Sequence, residues 1–289
     1  MKIGQIIKAL SGFYYVKYEN EIYQTRARGN FRKKGISPLV GDFVQFQIEN
    51  QTDGYILNIE ERKNAIVRPA VANVDRVIVV MSAVEPNYSL NLIDKFLVNV
   101  ESYHIEPVLL ITKKDLADEA LINKIESDLA YYKKIGYEVH FVSNEERQHL
   151  QSLVKGITVL AGQSGVGKSS FINAMIPGTD LNTGVISNAL NRGKHTTRHV
   201  ELIPVNEHYI ADTPGFSSLE LTEVDKYSLK NCFPEFRQNE THCKFRECLH
   251  INEPKCEIKR LVESGEILKS RYEHYQQMFT TIENTKERY

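Results

Sequence analysis

Apolar and polar positions alternate with a period of two early in the chain. Tyr14, Val16 and Tyr18 form one such run, Val44, Phe46 and Ile48 a second, and Tyr55, Leu57 and Ile59 a third. The turn-forming pairs Glu19-Asn20, Gly41-Asp42 and Asp53-Gly54 separate them. Several short strands within residues 1–68 predict a small closed or nearly closed β-barrel, an OB-fold in preference to an SH3-like barrel. The period then changes. Residues 77–81 and 108–112 are continuous aliphatic and β-branched runs, as in strands buried on both faces. Between them Leu90, Ile93, Leu97, Val100 and Tyr103 recur at helical spacing. Residues 139–142, 157–161, 200–205 and 209–211 supply further strands, and 169–175 a helix. Strands and helices alternating in this way predict a central α/β domain with a mainly parallel sheet. A last helix presents Leu268, Tyr272, Tyr275, Phe279 and Ile282 on one side. The expected organisation is therefore multidomain: an N-terminal β-barrel over 1–68, an α/β domain over 69–225 and an α-helical C-terminal segment over 226–289.

Composition adds exclusions. The longest apolar stretch, residues 77–84, ends at Glu85 and falls far short of the roughly 20 residues of a membrane span. Lys2 and Lys8 precede no continuous apolar region, so a reducing, cytoplasmic compartment is expected, where cysteines bind metal or lie idle. The formal charge of −1 argues against nucleic acid until it is divided. Residues 1–68 carry 11 basic and 7 acidic groups, 69–225 carry 13 and 20, and 226–289 carry 12 and 10. Two basic ends flank an acidic centre.

Gly162-Gln163-Ser164-Gly165-Val166-Gly167-Lys168-Ser169 fits the pattern G-x-x-x-x-G-K-[ST], with an expected strand before it and a helix after it. The glycines let successive N–H groups converge on one anion, and the helix N-terminus, which continues through Ser170, adds its dipole. Lys168 would reach the β- and γ-phosphates, and Ser169 would contribute to a Mg²⁺ shell. This predicts a nucleoside triphosphate site.

Asp212-Thr213-Pro214-Gly215 follows the run 209–211. There Asp212 suits a metal held through water and the Gly215 N–H suits the γ-phosphate. Between the two motifs, residues 191–198 read as a switch loop in which Thr196 and Thr197 could cap Mg²⁺, although a solvated basic loop has the same composition. Guanine recognition needs a carboxylate that accepts from N1–H and the 2-amino group together. Thr112-Lys113-Lys114-Asp115, at the end of an expected strand, supplies one in Asp115, with Lys113 along the base plane. Ser143 and Asn144 could close that pocket. Phe216 stands where many GTPases have a water-orienting glutamine, so slow intrinsic hydrolysis is expected. His195 is the nearest group able to accept from an attacking water, and an exposed loop histidine is the alternative reading. Arg192, Lys194 and Arg198 could serve either transition-state charge or RNA phosphates.

Cys243, Cys248, His250 and Cys256 place three thiolates and an imidazole within a short stretch, a complete tetrahedral set for one structural zinc. Cys232 is left over, read as a packed thiol or as a substitute for one of those four. In residues 24–35, Arg26, Arg28, Arg32, Lys33 and Lys34 surround Phe31. Basic groups neutralise phosphates, and aromatics such as Tyr14, Tyr18 and Phe31 stack on unpaired bases, while a solvated loop with core tyrosines is the plainer reading.

The base-reading motif here precedes the phosphate loop, the reverse of the usual order. In this the sequence resembles the circularly permuted GTPases, and specifically the ribosome small-subunit-dependent GTPase A (RsgA/YjeQ) family, over the whole chain from barrel to cysteine-rich segment. Thr112 departs from the N-K-x-D pattern, which that family tolerates. The resemblance implies a GTP hydrolase acting late in small (30S) ribosomal subunit maturation, stimulated by the subunit and released on hydrolysis. It also implies zinc on the four positions named above, a catalytic role for His195 and rRNA binding by the barrel, with the zinc segment as a second contact. GTP and GDP, magnesium with GTP, no membrane and a monomer complete the expectation. The alternatives are a nucleotide-gated RNA-binding module with incidental turnover, or a metabolic P-loop ATPase or kinase.

Overall fold

The alternation in the first segment closes a barrel. Val16 of β2 (Phe13–Tyr18), Thr25 of β3 (Glu21–Ala27), Val44 and Phe46 of β4 (Phe43–Ile48) and Ile56 of β5 (Gly54–Ile59) are buried. Their neighbours along each strand are more exposed, as the two-residue period requires. With β1 (Lys2–Leu10) the strand order is β1-β2-β3-β5-β4, and β4 returns to β1, so no edge remains. This is an OB-like barrel, with the β3–β5 pair parallel. Gly4 allows β1 to cross close to β2: an added Cβ would lie 2.6 Å from Val16 Cγ1. In the computed structural model the described residues are 2–29, 31, 35–50, 52–143, 145–175, 200–216, 221 and 223–286. The backbone alone is described at 145, 147–149, 212–216 and 286.

The chain divides into two compact units, Met1–Ile78 with Glu145–Phe216, and Val79–Asn144 with Ser217–Tyr289. The first holds the barrel, the short hairpin β6 (Ala65–Ile66) and β7 (Val71–Ala72), and the strands that carry the phosphate loop. Among these, β11 (Ile157–Ala161) is buried throughout and pairs in parallel with β13 (His208–Phe216), which pairs antiparallel with β12 (Val200–Val205). Helix α3 (Lys168–Met175) follows β11 through the phosphate loop. Asp212–Gly215 lie inside β13 rather than beyond its end. Glu201 of β12 stands opposite Asp212 and extends the pairing past residue 211.

The second unit holds most of β8 (Arg76–Ser82), buried at every position, beside β9 (Glu106–Thr112), which pairs in parallel with β10 (Glu138–Phe141). Helix α1 (Leu90–Glu101) is capped by Ser89, and α2 (Glu119–Lys134) by Asp118, whose Oδ1 accepts from the Leu121 N–H at 2.8 Å. Burial of α1 from Phe96 to Val100 is continuous, including Asn99, which marks a helix covered on more than one side. In the same unit lie α4 (Pro234–Asn239), α5 (Glu257–Glu263) and α6 (Lys269–Lys286), packed around Phe233, Phe236, Tyr272 and Tyr275. Among the described residues no helix is long and apolar enough to cross a membrane.

A buried ionic cluster ties α1, α4 and α6 together. Arg271 donates from Nη1 to Asp94 Oδ1 and from Nε to Glu235 Oε1, each at 2.5 Å. Tyr132 donates to Asp94 Oδ1 at 2.6 Å, and His274 Nδ1 lies 2.6 Å from Asp94 Oδ2. Burial alone would lower the Arg271 pKa. The carboxylates of Glu235 and Asp94 outweigh it and hold the guanidinium charged.

Candidate functional site

The phosphate loop owes its curl to left-handed backbone. Gly162, Gly165 and Gly167 have φ of 139°, 84° and 96°, which residues with a Cβ rarely adopt. The loop leaves β11 and enters α3, so its N–H groups gather at a helix N-terminus. Val166 and Ser169 are buried, while Ser164 and Gly165 are exposed at the loop's crest. Lys168 folds back over the loop, its Nζ donating to the Gly162 carbonyl at 2.7 Å and the Gln163 carbonyl at 2.6 Å. Burial lowers its pKa to about 8. An ammonium so placed has the charge and position to meet an anion at the loop.

The four residues of the base-reading motif behave differently. Thr112 is buried, and its hydroxyl donates to the Met81 carbonyl at 3.1 Å, tying the end of β9 to β8. Lys113 adopts the left-handed region (φ 58°), and its Nζ donates to the Glu85 carbonyl. The chain then makes a short 3₁₀ turn, Lys114–Leu116, that presents Asp115 at the surface. Ser143 is half-buried just after β10, where the Val142 N–H donates to the Ile111 carbonyl at 2.9 Å. Asn144, His195, Thr196 and Thr197 lie outside the described residues, as do Arg192, Lys194 and Arg198. For Asp212 and Gly215 the backbone places them on β13.

The cysteine-rich segment forms one closed donor set. One ligand atom from each of Cys243, Cys248, His250 and Cys256 lies within 4.8 Å of the others. His250 Nδ1 is 3.3 Å from Cys256 Sγ and 3.7 Å from Cys243 Sγ. A tetrahedral zinc with thiolates at ~2.3 Å and an imidazole at ~2.0 Å asks for edges of about 3.5–3.8 Å. The donor set fits a metal such as zinc. Burial pushes the Cys248 thiol up to about 12 and the His250 imidazole down to about 4, so the metal's own charge is what would hold the sulfurs as thiolates. The surroundings brace the ligands. The Glu253 carboxylate accepts from the N–H groups of Leu249 (2.6 Å) and Ile251 (3.0 Å). The Tyr272 hydroxyl donates to the His250 carbonyl at 2.6 Å, and Phe236 packs edge-on to the imidazole. Cys232 stands apart, buried, with its thiol on the Ser228 carbonyl and its pKa raised to about 12, chiefly by burial.

On the barrel, the structure moves one expected aromatic and supplies others. Phe31 belongs to the core and is not available for stacking, while Arg32, Lys33 and Lys34 lie outside the described residues. Tyr18 stands half-buried, edge-on to Phe46. Exposed instead are Phe43 and Tyr55, and the Arg28 guanidinium lies 5.9 Å from the Tyr55 ring centre. Arg26 covers Phe13 at 4.6 Å. The run Val44, Phe46 and Ile48 left Phe43 outward, but the run Tyr55, Leu57 and Ile59 had the opposite phase from the structure, in which β5 buries Ile56 and turns Tyr55 to solvent.

Comparison with known proteins agrees with this architecture. A family description of the RsgA GTPase matches residues 59–222, and one of the RsgA N-terminal domain matches residues 3–56. Small ribosomal subunit biogenesis GTPase RsgA 1 of Listeria monocytogenes is 54% identical, over 99% of each chain. The corresponding RsgA of Staphylococcus saprophyticus is 51% identical over the full length of both. The crystal structure of YloQ, a circularly permuted GTPase, superposes with a TM-score of 0.84 at 44% identity, covering 99% of this chain and 96% of that one. YjeQ from Thermotoga maritima superposes at 0.83 with 35% identity, covering 97% and 98%. With the barrel, the phosphate loop and the early base-reading motif in one order along the chain, this protein belongs to the RsgA family of circularly permuted GTPases.

Proposed function

We propose that this GTPase acts in maturation of the small ribosomal subunit, that the subunit stimulates its hydrolysis, and that hydrolysis releases it. The reading rests first on the phosphate loop, with Lys168 folded on the Gly162 and Gln163 carbonyls between β11 and α3. The curated names of relatives about half identical over their full length supply the biological setting. The functional division runs 1–68, 69–225 and 226–289.

In the proposed mechanism, residues 162–170 wrap the phosphates with backbone N–H groups, and Lys168 transfers its donors from the loop carbonyls to the β- and γ-oxygens. Asp115 accepts from the guanine edge on a turn that Thr112 and Lys113 hold in place. The Ser143 and Asn144 backbones border the base. Ser169 and Thr197, with Asp212 through water, would hold magnesium, whose charge would offset that of the phosphates. The Gly215 N–H meets the γ-phosphate, Thr196 orders with its neighbour around it, and His195 accepts from the attacking water. Loss of the γ-phosphate relaxes residues 191–198 and the factor departs. Cys243, Cys248, His250 and Cys256 would hold zinc in a structural role, because four protein donors leave no open position. The barrel, through Arg26, Arg28, Phe43 and Tyr55, contacts rRNA, and the zinc segment adds a second contact. The protein works as a monomer in the bacterial cytoplasm.

Co-sedimentation with small subunits tests this reading. The chain should pellet with them in a non-hydrolysable GTP analogue and stay in the supernatant with GDP. Equal pelleting in both nucleotides, or in neither, contradicts it.

A further inference from the structure

Strand β1 belongs to two assemblies within its unit. Residues Lys2–Gln5 pair with Phe43–Phe46 of β4 and close the barrel. A register shift against β2 follows, between Ile6 and Lys8. Beyond it, Lys8 and Ala9 pair antiparallel with Glu201 and Val200 of β12. Past the irregularity β1 stays paired with β2 but exchanges β4 for β12 on its other edge, which joins the barrel to the sheet of the phosphate loop.

The residues met there are those next to the hydrolytic motifs. Val200 begins two positions after Arg198, the last residue of the expected switch stretch. Glu201 is registered with Lys8 on one side and with Asp212, the first residue of the D-T-P-G, on the other. The Lys8 ammonium stands 3.1 Å from the Glu201 carboxylate, both side chains about 30% exposed, at 28% and 30%. A second tie runs parallel to it: Lys17 of β2 donates to the Tyr209 hydroxyl of β13 at 2.9 Å and lies 5.5 Å from the ring centre. The strand that follows the switch stretch and the strand that carries the D-T-P-G are thus both fastened to the barrel by lysines.

We propose that Lys8 and Glu201 are coupling residues for the subunit-stimulated reaction: their ion pair holds β12 in register on β1, so that RNA engaged by the barrel biases the switch and the D-T-P-G. The proposal rests on the functional reading above and adds the route by which stimulation reaches the site. A partly exposed pair contributes at most modestly to folding, so its loss should leave the fold intact. Its effect belongs to the difference between stimulated and basal turnover.

Lys8→Glu, Glu201→Lys and the double charge swap separate the outcomes. In each single variant, two like charges oppose one another across the strands. Stimulated kcat should fall about fivefold, the factor that corresponds to ~1 kcal/mol, the upper end for an exposed pair. Basal kcat, GTP KM and affinity for subunits in a non-hydrolysable analogue should stay within about twofold, and the swap should recover the stimulated rate. Unchanged stimulation in both single variants overturns the coupling role, as does a swap that restores nothing. A parallel fall of basal and stimulated rates shows a merely structural pair and also overturns it. A wild-type chain that subunits do not stimulate overturns the functional reading itself, and the coupling with it.

Discussion

Arg271 on α6 and Asp94 on α1 form an ion pair of 2.5 Å in which both side chains are wholly shielded from solvent. Glu235 shares the same guanidinium, and Phe233 and Tyr132 lie within 5.2 Å of its centre. The C-terminal helix is therefore fastened to the helix between β8 and β9 by a satisfied but unforgiving network. Removing the cation strands two carboxylates in an apolar setting.

Arg271→Met should lower stability by about 3–5 kcal/mol, the usual cost of breaking a buried pair from one side. The midpoint of thermal or urea unfolding reads it. A loss under ~1 kcal/mol would mean that water or a local shift rescues Asp94 and Glu235.

The zinc assignment predicts about one equivalent of metal per chain in the purified protein. Cys248→Ser should lose it and destabilise the C-terminal segment, whereas Cys232→Ser should keep it, since that thiol points to Ser228. Metal analysis of the two variants decides, and retention by Cys248→Ser contradicts the assignment.

With the proposed phosphate contact, Lys168 should make nucleotide affinity depend on pH. Its pKa in the free protein is about 8, lowered by burial, and bound phosphates favour the charged form and raise it. The protonated form therefore binds more tightly. Above pH ~8 binding takes up a proton, so affinity falls as pH rises, by up to about tenfold per unit, and is flat below. Titrations from about pH 6.5 to 9.5 check this, and a flat profile across that range would contradict it.

Legibility followed locality. The phosphate loop was readable because its motif sits in eight consecutive residues, and the Cys243, Cys248, His250 and Cys256 donor cluster because it falls within one short stretch. Strand β1 was not. Its alternation breaks between Ile6 and Lys8, so only Gly4 and Ile6 are buried and no clean period survives. The ionic cluster was equally hidden, because Asp94 and Arg271 are 177 positions apart and each looks like an ordinary polar position on its helix. Phe31 misled in the opposite direction: its basic neighbours suggested exposure, yet the ring is core. Thr112 was a departure from a pattern in the sequence. In the structure it is a hydroxyl that holds β9 to Met81.

The small ribosomal subunit should turn this slow GTPase into a fast one. Steady-state hydrolysis of GTP and of ATP, with and without purified small subunits, tests it most directly. Slow GTP turnover that rises at least about tenfold with subunits, with ATP left unhydrolysed in both conditions, is the predicted result. GTP turnover that is indifferent to subunits, or ATP hydrolysed equally well, would contradict it.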